Sequence, residues 1–277
     1  MSPLVRAVCA SGQRLATRRA AGSSQRGFVG VCALLFVASV AVTVAHNASM
    51  SAMGAVPMPG GWSMSTLWMP TCGRTWARVA ASFIGMWIVM MTAMMLPSLV
   101  PTLLRYRDAL GSRARAGRLA LLTMLVSGGY GVVWTALGVA VFALGASLAA
   151  LELRWPALAR SVPLAVSAVV LLAGALQFSS WKAHRLACCR ATPNLAADAA
   201  SAWRYGLRIG IDCGHCCAGL TAILLSVGTM DLRLMAAVTV AITAERVAPD
   251  GARVARAIGA IAIGGAGLLL VQALSAG

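Results

Sequence analysis

Acidic residues are nearly missing from this chain, which carries seven Asp and Glu against 23 Lys and Arg in 277 residues. Charge of any sign is scarce, at 11%, where a soluble domain carries roughly 25%. No stretch is polar enough for long enough to fold alone in water. Repeated ten-residue alternations of apolar and polar residues are absent too, which excludes a transmembrane β-barrel. Nothing resembles a phosphate-cradling loop or the aspartate of a phosphorylated pump, so ATP-driven transport by this chain alone is disfavoured. No internal repeat is convincing, and inverted-repeat symmetry is not claimed.

What the chain has instead is apolar length. Hydrophobic residues make up 60% of it, with a mean hydropathy of +0.82, and several runs approach the ~20 residues that cross a bilayer core. The expected fold is therefore an all-α polytopic membrane protein, a bundle of about seven transmembrane helices with a cytoplasmic N-terminus. The expected spans are residues 28–45, 78–104, 119–149, 162–180, 206–228, 232–247 and 255–274. Residues 1–27 are expected as a disordered basic tail, 28–45 as a first span or signal anchor, 46–77 as an outside loop rich in Met and Trp, and 78–277 as a six-helix membrane domain. Whether 28–45 is cleaved stays open, because Thr43-Val44-Ala45 satisfies the small-residue cleavage rule.

The formal net charge of +16 does not point to nucleic acid, because the basic residues sit in short segments between apolar runs rather than on one face. All but Arg74, Arg78, Arg154, Arg160 and Arg233 fall on the same side as the N-terminus. That bias makes the N-terminal side cytoplasmic. Of the eight cysteines, Cys72 alone falls in an expected outside loop, which argues against a disulfide framework.

Two stretches concentrate soft donors. At roughly 100° per residue, Met86, Met90, Met91 and Met94 share an arc of about 140° with Trp87, and Pro97 and Pro101 lie within it. Further on, Asp212-Cys213-Gly214-His215-Cys216-Cys217 heads an apolar run. Asp212, Cys213, Cys216 and Cys217 fall in one arc, with His215 just outside it. Thioether and thiolate are the ligands that select monovalent copper, and three thiols with His215 also suit zinc. Against this stand plainer readings: methionine and free cysteine pack well as apolar residues, Asp212 has Arg208 one turn away, and Glu245 has Arg246 or another basic residue as a partner. At 1.5 Å per residue, Cys213 to Cys217 would lie roughly 9–15 Å inside the cytoplasmic boundary, a depth the methionine stripe can share. Cys188 and Cys189 fall in a basic segment outside the bilayer, where transient metal handover is one reading and reduced spectators the favoured one, and His184 reads as a solvated loop histidine.

The motifs also occur in a recognisable order: Trp87-x-x-Met90-Met91-x-Ala93-Met94-Met95-x-Pro97, Ala173-Gly174-x-x-Gln177 with Lys182 and Cys188-Cys189-Arg190, Arg208-x-Gly210-x-x-Cys213-x-x-Cys216-Cys217, Gly228-x-Met230 and Glu245-Arg246. Over residues 78–250 that order resembles a bacterial family described as predicted metal-binding integral membrane proteins, a domain of unknown function. Ala218 departs from the tryptophan usual there, and Arg246 from the usual lysine. The resemblance implies a multi-pass protein of the bacterial inner membrane that handles a metal, with copper the expected one.

The leading reading is a membrane protein that binds, delivers or transports copper(I), with zinc as the other candidate ion. Its site residues would be Met86, Met90, Met91, Met94, Asp212, Cys213, His215, Cys216, Cys217 and Glu245, the two acids tuning charge or taking up the protons that thiols release. The expected partners are the lipid bilayer and a periplasmic protein that accepts or donates copper; nucleic acid is not one, and an enzymatic role is the less favoured reading. Two alternatives stay open: a membrane thiol-disulfide oxidoreductase using Cys213 and Cys216, and a non-catalytic membrane subunit in which the sulfur is packing.

Overall fold

The computed structural model describes residues 3–51, 55–59, 62–65, 68, 73, 75–110, 115–190, 197–228 and 231–275. Cys72, Met53 and Met69, which the sequence places in the outside loop, lie outside the described residues. Helix α1 (Pro3–Ser51) is followed by a small antiparallel hairpin, β1 (Ala55–Met58) and β2 (Trp62–Ser65), and then by α2 (Trp76–Leu110), α3 (Ala116–Arg154), α4 (Pro156–Leu176), α5 (Ser180–Arg190), α6 (Ala199–Val227), α7 (Leu232–Val247) and α8 (Gly251–Ser275). Among the described residues the chain is all-α but for that hairpin. Its tip region is fastened by Trp62 Nε1, which donates to the Ala159 carbonyl at 2.8 Å.

Punctuation in the sequence sets the helix ends. Pro156 opens α4 at a position where the missing N–H costs nothing. Asp198 caps α6 by accepting from the Ser201 N–H, and Asp231 caps α7 by accepting from Arg233 and Leu234. Among the described residues, six helices are long and apolar enough to cross a membrane: residues 25–49 of α1, and all of α2, α3, α4, α6 and α8. Four of the seven sequence spans lie wholly within those segments, 206–228 lies within α6 except for its last residue, and 162–180 lies within α4 except for its last residues. The remaining one, 232–247, is α7, a 16-residue helix. Its length is about 24 Å at 1.5 Å per residue, against a hydrocarbon core of about 30 Å.

Cross-links between helices fix their directions. Arg118, near the start of α3, donates to the Ala197 carbonyl just before α6 (2.7 Å), so α3 and α6 begin at one end of the bundle and run parallel. Gln177, at the end of α4, donates to Glu245 near the end of α7 (3.0 Å), so α4 and α7 finish at that same end. Helix α7 thus carries the chain back along the bundle from the finish of α6 to the start of α8. The hairpin packs against Ala149 and Ala159 at the opposite end.

The outer surface is apolar, with Leu172, Val240, Ile261, Leu268 and Val271 each about two-thirds exposed or more. Between helices, apolar burial gains little if lipid is the surrounding medium, and close backbone approach takes over. The α3–α6 contact shows this. A Cβ added at Gly206 would overlap the Val126 carbonyl oxygen, and one at Gly129 would sit 2.8 Å from the Trp203 carbonyl. Helices α4 and α8 meet in the same way at Gly174 and Gly259.

Candidate metal centre

The buried polar groups of the bundle gather around α6. Cys213, Cys216 and Cys217 are all buried, one helical face of α6 turned wholly inward. Cys213 and Cys217, one turn apart, have their sulfurs 3.8 Å from each other. Metal–thiolate bonds of roughly 2.3 Å reach about 4.6 Å end to end, so one soft ion can touch both atoms.

Cations surround these thiols. Arg246 Nη1 donates to Cys213 Sγ at 3.0 Å and to Ser98 Oγ at 3.1 Å, and thereby links α7 to α6 and α2. Tyr130 Oη of α3 lies 3.2 Å from the same sulfur. Lys182 folds in from α5 and is buried. Its Nζ donates to the Cys216 carbonyl (2.6 Å) and pairs with Glu245 (2.7 Å). Gln177 occupies the other Glu245 oxygen. An ionic group this deep in an apolar bundle is costly unless fully partnered, and this carboxylate has both oxygens engaged.

The methionine stripe lies in the same core as the thiols. Met90, Met91 and Met94 are buried and Met86 is half-buried. Ser98, which receives Arg246, sits one turn beyond Met94 and donates to the Met95 carbonyl. Met91 and Met95 also wall a cavity of ≈ 620 Å³ between α1, α2 and α3, with Tyr130 on its inner side. The stripe and the thiols are therefore joined through Ser98, Arg246 and Tyr130.

Two of the sequence candidates face elsewhere. Asp212 is paired with Arg208 (3.9 Å), as its spacing led one to expect, and with Arg185 (3.7 Å). His215 is exposed, edge-on to Trp181 with ring centroids 6.3 Å apart. It does share with Cys216 a smaller cavity of ≈ 190 Å³, whose other walls include Lys182, Gln177 and Ala218. Where a tryptophan would stand in the resembling family, this chain leaves open space.

Sequence reading missed Tyr130, Ser98, Lys182 and Arg246 as neighbours of the thiols, and for Cys189 it favoured a spectator over a part in metal handover. The structure packs Cys189 against the buried core. A thiol hydrogen bond with Cys216, followed by burial, raises the Cys189 pKa above the usual cysteine value. Its neighbour Cys188 is half-buried, with Sγ 3.6 Å from His184 Nε2. Among the described residues, no group of three or more His, Cys, Asp or Glu side chains is arranged to hold a metal ion. The donors at contact distance come in pairs, Cys213 with Cys217 and Cys188 with His184.

Fold and site together define a helical bundle of membrane-crossing dimensions built round buried thiols and buried cations. Residues 84–269, well over half of the chain, match the model of the PpoB2 family, described as copper chaperone. The chain belongs to that family, and the resemblance drawn from its ordered motifs holds at that level. No curated protein and no solved structure matches it.

Proposed function

We propose that this chain is a multi-pass protein of the bacterial inner membrane that binds copper(I) on the α6 thiols and passes it to a partner outside the cytoplasm. In this reading α7 is a seventh crossing, and the end of the bundle holding Lys182 and Glu245 is cytoplasmic. The surplus of arginine at that end supports the orientation. Cys213, Cys216 and Cys217 are the primary ligands, and Met90, Met91 and Met94, with Met86 at the edge of the stripe, are the thioether donors along which the ion leaves. The single observation that carries the reading is the contact of a buried guanidinium with a buried thiol cluster in a chain of a copper chaperone family.

Charge explains the guanidinium. Two thiolates around one monovalent ion leave a net charge of −1, and the Arg246 cation at 3.0 Å from Cys213 offsets it where water cannot. Glu245 is already matched by Lys182, so the balance at the thiols is undisturbed by it. The paired arrangement of donors favours copper(I) over zinc, which takes four ligands in a closed tetrahedral site, and His215 faces away from the cluster. Asp212 acts at the rim, through its arginine partners. Periplasmic acceptors that present thioether or imidazole donors are the partners this chemistry suits.

Metal analysis tests the reading. Protein purified in detergent under reducing conditions and supplied with copper(I) should retain copper through desalting, and the Cys213→Ser/Cys216→Ser/Cys217→Ser variant should lose it. Equal copper in both would refute the assignment of the ligands.

A further inference from the structure

The motif Cys188-Cys189 is left over by the site just described, yet the structure does not leave it idle. Helix α5 lies across the end of the bundle where α4, α6 and α7 meet, anchored by Lys182 on the Cys216 carbonyl and on Glu245. From that anchor the helix carries three soft donors of graded burial. His184 is exposed, Cys188 is half-buried and 3.6 Å from the His184 ring nitrogen, and Cys189 packs against the buried core to which Cys216 belongs. His184 and Cys188 are one turn apart, the spacing at which two helical side chains meet.

We propose that α5 is a loading arm: the surface pair His184–Cys188 takes copper(I) from a thiol-bearing carrier and hands it through Cys189 to Cys216. This rests on the α6 thiols being the copper site. The ion stays monovalent throughout, and no electron moves. At the first step the carrier sulfur leaves copper as Cys188 Sγ and His184 Nε2 bind it, and the Cys188 thiol proton goes to the departing carrier thiolate. At the second, Cys189 Sγ bonds to copper as the bonds to Cys188 Sγ and His184 Nε2 break, and the Cys189 proton returns to Cys188. The third repeats this exchange between Cys189 and Cys216, with the proton of Cys216 passing to Cys189. Each step exchanges one thiolate for its neighbour, so no bare ion is released.

The α5 residues are the right ones for passage rather than storage. Two donors on a surface helix hold a soft ion weakly enough to release it, and the three α6 thiols draw it inward. Lys182 holds the arm in register, because its ammonium is fixed at both the Cys216 carbonyl and Glu245.

The test is a loading time course on the full-length protein in detergent. A copper(I)–glutathione complex serves as donor, and a high-affinity copper(I) chelator stops the reaction at each time point. Cys188→Ser, Cys189→Ser and His184→Ala should each slow filling by about tenfold, while the copper content at long times reaches that of the wild type. Cys188 and His184 are outside the core, so their variants test the arm without disturbing the fold. Filling at the wild-type rate in all three overturns the loading arm and leaves the α6 site standing. A wild type that takes up no copper overturns the α6 site, and the loading arm with it.

Discussion

Replacing Glu245 by Gln removes one charge from a deeply buried ion pair of the bundle. The side chains of Lys182 and Glu245 are 5% and 2% exposed, with Nζ and Oε2 2.7 Å apart. Breaking such a pair from one side strands the other charge, which costs about 3–5 kcal/mol, whereas replacing both partners by apolar residues is often near neutral. Solvent screening is negligible at this exposure, so the upper part of that range applies. Lys182→Met should cost a similar amount, since it takes the 2.7 Å cation from a buried carboxylate. The double variant Lys182→Met/Glu245→Leu should recover most of the loss, less the contribution of the hydrogen bond to Cys216, about 1 kcal/mol. Denaturant unfolding of the detergent-purified protein, run as a double-mutant cycle, measures the coupling directly. Single variants that each cost under about 1 kcal/mol, or losses that simply add, would show that the pair is solvated and would refute the packing of α5 against α6 and α7.

Other outcomes follow from the same geometry. Gly206→Ala should destabilise the bundle by about 1–3 kcal/mol, measured in the same unfolding assay, because its Cβ would overlap the Val126 carbonyl; unchanged stability would contradict the close α3–α6 contact. Met94→Leu conserves volume, so stability should shift by less than about 1.5 kcal/mol while copper affinity in a competition titration falls. An unchanged affinity would make that methionine packing only. Ala218→Trp should fill the ≈ 190 Å³ cavity beside Cys216 and slow alkylation of that thiol by a small membrane-permeant maleimide, read by mass spectrometry.

Much of the architecture was legible because lipid-compatible helices announce themselves by length and composition. The runs through residues 28–45, 78–104, 119–149, 206–228 and 255–274 needed no tertiary information, and the inward face of Cys213, Cys216 and Cys217 followed from helical periodicity. Of the methionines that share one arc, Met90, Met91 and Met94 are buried. What periodicity cannot give is contact between distant segments. Arg246 meets Ser98 across 148 residues and Lys182 meets Cys216 across 34. Lys182, His184, Cys188 and Cys189 read as a solvated basic loop because the segment is short and polar. Only its anchoring under α6 and α7 turns it inward. Glu245 was expected to pair with Arg246 or another basic residue; that residue is Lys182, brought in from α5. The outward turn of His215 was likewise half-visible, since the wheel set it beyond the arc of the thiols, but Trp181 as its neighbour was not.

The central claim, that the α6 thiols hold copper(I), is tested most directly by X-ray absorption at the copper edge on the loaded, reduced protein. The account predicts a monovalent edge and a first shell of sulfur at two or three coordination, lost in the variant lacking Cys213, Cys216 and Cys217. A first shell dominated by nitrogen or oxygen, or an unchanged sulfur shell in that variant, would contradict it.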